Sequence, residues 1–168
     1  MKVKLHCNYC NKEFTRRKCN VIYEDNYCSP NCCYEYKRVK SIKDNYKRII
    51  KLDKDFINWF AGFWEGEGSV ITCCIDRKRK TPRFTLYQSD LQIMTYIQKM
   101  FKLGRITKQK ARGLSKRMGY VFQTSKFGEC VLFAYILKGR LKSKYKKEQL
   151  GKWINSFKMK KYFKYIKE

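Results

Sequence analysis

The stretch from Asp55 to Val70 constrains the fold most, because it begins with the pattern of a helix and ends with that of a strand. Aromatic residues recur in it at spacings of three and four, which is typical of one helix face. They are Phe56, Trp59, Phe60, Phe63 and Trp64. Ala61, Gly62 and Gly66 leave another face almost bare. A bare face favours either close approach of a second helix or ordinary core packing.

Two carboxylates, Glu65 and Glu67, stand where this helix ends. The helix macrodipole already makes that end negative, so the arrangement favours a nearby cation. If two such helices packed side by side, their Glu67 carboxylates and last carbonyls would gather the hard oxygen ligands that Mg²⁺ prefers. The stretch therefore predicts a Mg²⁺ site at Glu67 and Gly68, with Glu65 in a structural role at the helix end.

The nine residues from Phe60 to Gly68, FAGFWEGEG, resemble the motif of the LAGLIDADG homing endonucleases. Ala61, Gly62 and Gly68 match the motif, whereas glutamate replaces aspartate at both acidic positions and moves each carboxylate by one methylene. The resemblance implies a site-specific DNA endonuclease in which Glu67 is catalytic and the motif helices pair. The predicted dimer interface comprises Phe60, Ala61, Gly62 and Gly66.

The segments after the motif predict the order helix, two strands, helix, two strands, helix. Strand patterns at 69–75 and 83–88 flank a basic turn at 77–82, and a second pair follows at 105–110 and 120–124. Between the pairs, Asp90 caps a helix that Gly104 ends, and a last helix lies around 130–137. This order matches the αββαββα core of the family over about 53–155, so the predicted fold class is α+β with a four-stranded antiparallel sheet.

In the family that the chain resembles, one face of this sheet lies in the DNA major groove. Alternation along each strand assigns side chains to that face, and a shift of one residue would invert each set. The predicted DNA-binding residues of the first strand pair are Ser69, Ile71, Cys73, Ile75, Arg77, Arg83, Thr85 and Tyr87. Those of the second pair are Thr107, Gln109 and Gln123.

The resemblance implies two catalytic residues besides Glu67. Gln88, where the second strand meets the next helix, matches the polar residue that orients the metal-bound water. Lys144 matches the basic residue that stabilises charge beside the scissile phosphate. The neighbouring alternatives for this basic residue are Lys142, Lys146 and Lys147.

The charge of the chain indicates its partner. Forty Lys and Arg against 14 Asp and Glu give a net charge of +26, which predicts a polyanion. No apolar run approaches the roughly 18 residues of a membrane span and no signal peptide precedes the basic start, so the expected protein is soluble and intracellular. Its expected compartment is the cytoplasm of a bacterium or phage-infected cell, or an organelle matrix. The predicted partner is DNA. Two alternative functions remain: a maturase that binds intron RNA, and a catalytically inactive regulator that binds DNA.

The cysteines cluster at the start of the chain, where six of the nine fall within the first 33 residues. Cys7 and Cys10 form C-x2-C, and Cys28 and Cys32 form C-x3-C after seventeen intervening residues. This spacing suits a tetrahedral Cys₄ zinc site, and the surrounding sequence resembles a treble-clef finger. So short a segment needs the metal to fold. Alternative ligands are Cys33, Cys19 and His6.

These features predict three segments and a homodimer. The segments are a Cys₄ zinc finger at 1–36, a basic helical linker at 37–52 and an endonuclease domain at 53–168 that ends in a basic helix. The chain holds one copy of the motif, whereas cleavage of both DNA strands needs two active sites. A two-fold dimer then predicts a pseudo-palindromic target with half-sites of about ten base pairs.

Overall fold

The computed structural model describes residues 1–21, 25–76, 79–109 and 118–166, and only the backbone at positions 75, 76 and 79. The chain divides into two compact units, Met1–Ser41 and Ile42–Glu168. The division falls within helix α1, Pro30–Ile49. Within the described ranges, no helix combines the length and the apolar character needed to cross a membrane.

The first unit is built on a hairpin of strands β1 (Lys2–His6) and β2 (Glu13–Arg17). The turn between them is closed by the Cys7 N–H, which donates to the Lys12 carbonyl at 3.0 Å. Asn11 adopts the left-handed conformation in this turn, with φ of 57°, which asparagine tolerates better than most residues. A short 3₁₀ helix (Lys18–Asn20) follows.

The second unit starts its core with helix α2, Lys54–Glu67, which runs directly into strand β3, Gly68–Asp76. Asp53 begins the helix, because its carboxylate accepts the N–H groups of Asp55 and Phe56 at 3.1 Å. The predicted change from helix to strand within one stretch is thus confirmed.

The sheet of the second unit is antiparallel, with the order β3-β4-β6-β5. The remaining elements in chain order are β4 (Arg79–Gln88), α3 (Leu91–Phe101), β5 (Arg105–Gln109), β6 (Gly119–Thr124), α4 (Phe127–Leu137), α5 (Lys144–Ser156) and a 3₁₀ helix (Met159–Ile166). The order from α2 to α4 is αββαββα, which confirms the predicted fold class.

Helices cover one face of this sheet, and aromatic rings fill the space between. Phe84 of β4 stacks on Phe133 of α4 with ring centroids 4.2 Å apart, and Phe60 of α2 meets Phe101 of α3 at 4.6 Å. All four rings are fully buried. The alternating residues of the strands are left on the opposite face of the sheet.

Three predicted boundaries are wrong. Residues 79–82 belong to β4 rather than to a turn: β4 pairs with β6 only from Phe84 onward, so the missing N–H of Pro82 removes no bond to β6. Helix α3 ends before Gly104, because Lys102 already adopts the left-handed conformation, with φ of 52°. The predicted C-terminal helix is two segments, since Lys158 has the same φ of 52° between α5 and the last 3₁₀ helix.

Candidate active site and nucleic-acid interface

The end of α2 is held on the sheet by Trp64. Its ring is fully buried and stacks on Phe84, and its Nε1–H donates to the Thr85 carbonyl at 3.2 Å. Gly68 caps the helix, and a Cβ atom at this position would overlap the Trp64 ring. The junction therefore requires glycine and fixes where the acidic residues of the motif project.

Glu67 projects into solvent from this fixed junction. Its carboxylate is exposed and makes no hydrogen bond or ion pair with any residue that the structure describes. The last carbonyls of a helix also lack helical N–H partners. An uncommitted carboxylate beside such carbonyls is a donor set of hard oxygens that suits Mg²⁺.

The carbonyl of Gly68, the other predicted Mg²⁺ ligand, is already engaged. It accepts a hydrogen bond from the Lys146 Nζ at 2.5 Å. The same ammonium group lies 5.4 Å from the centroid of the Trp64 ring. An ammonium group and Mg²⁺ at the same oxygen would repel each other, so Lys146 competes with the metal for this carbonyl, and the assignment of Gly68 as a metal ligand stays a prediction.

Glu65 points away from Glu67 and meets the start of α5. Its carboxylate accepts the Lys142 N–H, at 2.8 and 3.1 Å from its two oxygens, and also the Ser143 N–H. These backbone hydrogen bonds lower the pKa of the Glu65 carboxyl below its ordinary value, with a smaller contribution from Lys147. Glu65 is thus ionised and committed within the chain.

Gln88 and the lysine run lie at the same end of the sheet as Glu67. Gln88 ends β4 two residues beyond Leu86, the register partner of Gly68, and its Oε1 accepts the Ser89 N–H at 2.7 Å. Lys144 is exposed at the first position of α5. Of the predicted lysine and its neighbours, Lys146 is the one whose ammonium group reaches the motif.

The solvent-facing side of the sheet carries the predicted DNA-contacting side chains. One row crosses all four strands in register: Ser69, Thr85, Gln123 and Arg105. On the same face lie Ile71 opposite Arg83, Tyr87 opposite Val121, Thr107 opposite Val121, Gln109 opposite Gly119, and Cys73 opposite Thr81. The side chain of Ile75 and the whole of Arg77 lie outside the described residues.

Three further side chains of this face were not predicted from the sequence: Thr81, Arg105 and Val121. Arg105 is exposed at the start of β5. The alternation of side chains places it on the same face as Thr107, two residues later. Val121 follows in the same way from Gln123. Thr81 was missed because the region before Arg83 was assigned to a turn.

Several side chains of this face are held by hydrogen bonds within the chain. The Arg83 Nε–H donates to the Ser125 Oγ at 3.3 Å, and the Thr85 hydroxyl donates to the Ser69 carbonyl at 3.0 Å. Gln123 donates through Nε2 to the Thr107 hydroxyl at 3.4 Å. The face thus offers preorganised polar groups beside an exposed apolar one, Ile71.

The predicted dimer interface separates into two halves. Phe60 and Ala61 are buried in the core of the chain itself, so their assignment to the interface is wrong. Gly62 and Gly66 are exposed, and a Cβ atom on either would meet nothing within 4 Å. A helix could therefore approach α2 closely along the side that these two glycines share.

In the first unit, the thiols of Cys7, Cys10, Cys28 and Cys32 converge, with all four sulfurs within 4.8 Å of one another. Three Sγ–Sγ distances are 3.5, 3.6 and 3.8 Å, for Cys28–Cys32, Cys10–Cys28 and Cys10–Cys32. A tetrahedron with Zn–S bonds of about 2.3 Å has edges of about 3.8 Å, so the spacing and the soft donors fit Zn²⁺.

The thiols already differ in acidity. Burial acts to raise the pKa of Cys7, but hydrogen bonds from the backbone of Cys10, Cys28 and Tyr9 bring it down to about 6. The Cys32 thiol and burial raise the pKa of Cys28 to about 12. A bound Zn²⁺ would deprotonate these thiols, because it is coordinated by thiolates.

The alternative ligands lie apart from this cluster of sulfurs. The His6 Nδ1 contacts the Asn11 carbonyl at 3.2 Å, and the Cys19 thiol donates to the Asn20 side chain at 3.5 Å. Neither these two residues nor Cys33 belongs to the group of four converging ligands that the described residues contain.

A family model described as LAGLIDADG endonuclease matches residues 60–167, which is more than half of the chain. The chain therefore belongs to the LAGLIDADG endonuclease family. No curated protein sequence gives a significant match.

Among solved structures, the chain is similar to an archaeal intron-encoded homing endonuclease, I-Vdi141I, complexed with DNA. The identity is 26% over 51% of this chain and 56% of that one, with a TM-score of 0.39. It is also similar to the homing endonuclease I-CvuI in complex with its target, at 18% identity over 62% of this chain and 66% of that one, with a TM-score of 0.43. The match thus spans less than two thirds of either of these relatives.

Proposed function

We propose that this protein is a homodimeric, sequence-specific DNA endonuclease that makes double-strand breaks by Mg²⁺-dependent hydrolysis. The observation that carries the proposal is the uncommitted carboxylate of Glu67 at the end of the motif helix, in a chain with a net charge of +26. Because Lys and Arg far outnumber Asp and Glu in this chain, a carboxylate that pairs with none of the described residues favours a role in binding a metal ion.

Glu67 would hold the Mg²⁺ ion, which supplies an activated water and neutralises charge on the leaving oxygen. Gln88 would orient the attacking water through its side-chain amide. A lysine of α5 stabilises the charge that develops on the phosphate. Lys144 has this role by family resemblance, and Lys146 is the rival because its ammonium group already reaches Gly68.

The solvent-facing side of the sheet would read the DNA. Arg83, Arg105 and Gln123 can donate to base edges in the major groove, and the Thr85 hydroxyl, which donates to Ser69, can accept. The excess of lysines and arginines would bind phosphates without regard to sequence. Pairing through Gly62 and Gly66 would place two such sheets on a pseudo-palindromic site.

Incubating the protein and Mg²⁺ with a randomised duplex library, and sequencing the ends, tests this function. The proposal expects cuts in both strands at one pseudo-palindromic sequence. Binding of such a sequence without any cut would instead identify an inactive regulator.

A second candidate is RNA binding by a maturase, and a basic cleft favours it. An open cleft of about 640 Å³ at the ends of α1 and α3 is lined by four basic residues, Lys47, Arg48, Lys51 and Lys102, against one acid, Asp44. Nearby, Ile49 shares another cleft with Ile57 of α2 and Leu132 of α4, so the end of α1 lies over the helices rather than on the solvent-facing side of the sheet. Lys47→Glu with Arg48→Glu should then weaken binding to intron RNA and leave DNA cleavage unchanged.

A further inference from the structure

The two acids of the motif have different partners, and the partners of Glu65 lie 77 and 78 residues away along the chain. Its carboxylate spans the Lys142 and Ser143 N–H groups, the last two before α5 begins. Ser143 is the N-cap residue of α5, since its Oγ accepts the Lys146 N–H at 3.4 Å. The start of α5 is thus held by the Ser143 cap and by the Glu65 carboxylate from α2.

From this start, one side of α5 follows the outer edge of β3. Lys146 donates to the Gly68 carbonyl, the Gln149 side chain to the Ser69 hydroxyl at 3.5 Å, and the Trp153 Nε1–H to the Ile71 carbonyl at 3.0 Å. These positions are three and four residues apart, which places them on one helix face. Because β3 is an edge strand, α5 also covers groups that no strand pairs.

We propose that Glu65 is a positioning residue, which fixes the start of α5 and thereby sets the ammonium group of Lys146 at the end of the motif helix. This rests on the proposed nuclease function. A carboxylate is suited to the task because it accepts both N–H groups and lies at the positive end of the α5 dipole. Both of its oxygens are occupied by donors, so Glu65 is unsuited to hold the metal as well.

The first test uses amide hydrogen exchange and needs no activity. In Glu65→Gln, exchange of the Lys142 and Ser143 amides should accelerate about tenfold or more, because a neutral amide oxygen accepts these bonds more weakly and an N–H donor replaces the carboxylate oxygen beside the Lys142 N–H. The matched control is Glu148→Gln, an exposed carboxylate on α5, which should leave both rates unchanged. Unchanged exchange in a folded Glu65→Gln protein would overturn the proposal. If Glu65→Gln does not fold, Glu65→Asp replaces it, and its shorter side chain should also accelerate exchange.

The second test asks whether Glu65 acts through Lys146. Single-turnover cleavage at saturating DNA should fall about tenfold or more in Glu65→Gln and in Lys146→Ala, while the Mg²⁺ concentration for half-maximal rate stays the same. The double variant should be no slower than the slower single variant. Multiplied losses, or a shifted Mg²⁺ dependence, would contradict the proposal. If the wild type cuts no DNA, the proposed function fails, whereas amide exchange still tests the cap.

Discussion

Four residues at the end of the motif helix meet four different surroundings. Trp64 packs on β4, Glu65 holds the start of α5, Glu67 faces solvent, and Gly68 turns the chain into β3. Successive residues of a helix are separated by about 100° around its axis, so neighbouring side chains diverge. Two acids separated by one residue therefore face different surroundings.

Gly68→Ala tests the junction at this scale. The added methyl group would overlap the buried Trp64 ring, so we expect the free energy of unfolding to fall by about 1–3 kcal/mol. Chemical denaturation measures this. Gly151→Ala is the matched control: its methyl group meets open space in helix α5, so stability should stay the same or rise by up to about 1 kcal/mol. Equal stabilities of the two variants would contradict the assigned role of Gly68.

The sequence predicts the position of both acids, because spacing and the helix dipole are local properties. It does not predict what the acids touch. The contacts of Glu65 with Lys142 and of Lys146 with Gly68 join residues 77 and 78 positions apart, and they arise only when α5 packs beside β3.

Among the elements, strand alternation was predictable and strand limits were not. The period of two is a local property, so residues such as Ser69, Thr85 and Gln123 could be assigned to one face before their pairing was known. The start of β4 was missed because Pro82 normally interrupts a strand. It is accommodated here because β4 lacks its second neighbour at that point.

The cysteine cluster gives a prediction for the first unit. Purified protein should contain one Zn²⁺ per chain, and Cys10→Ala with Cys28→Ala should lose it, because two of four thiolate ligands disappear. Elemental analysis measures the metal, and amide exchange across Met1–Ser41 should then show lost protection. Cys19→Ala with Cys33→Ala is the control and should keep full zinc content. Retention of zinc by the first double variant would refute the ligand set.

At the scale of the whole molecule, burial decides which part of the motif can meet a partner. Aromatic spacing alone could not separate Phe60, which fills the core, from the glycines on the exposed side of α2. The sequence predicts that this side of α2 carries only small residues. Which of them are buried and which are exposed depends on how α3 and α4 pack. We therefore propose a narrower interface that centres on Gly62 and Gly66.

Gly62→Leu should abolish dimer formation, since a bulky side chain would separate the two helices where they approach most closely. Light scattering and sedimentation measure the mass with and without DNA. Gly151→Leu is the matched control, because Gly151 also lies in a helix, α5, with open space around its Cβ position. A Gly62→Leu protein that remains dimeric and cuts both strands would disprove this interface.

The most direct test of the account is Glu67→Gln on one cognate site, with cleavage measured in Mg²⁺ and affinity in Ca²⁺. Loss of the metal-binding carboxylate should lower the cleavage rate at least about a thousandfold. Affinity should be equal or higher, because the substitution removes a negative charge beside the phosphates. Glu148→Gln should match the wild type in both measurements. A wild-type cleavage rate in Glu67→Gln would show that the active site lies elsewhere.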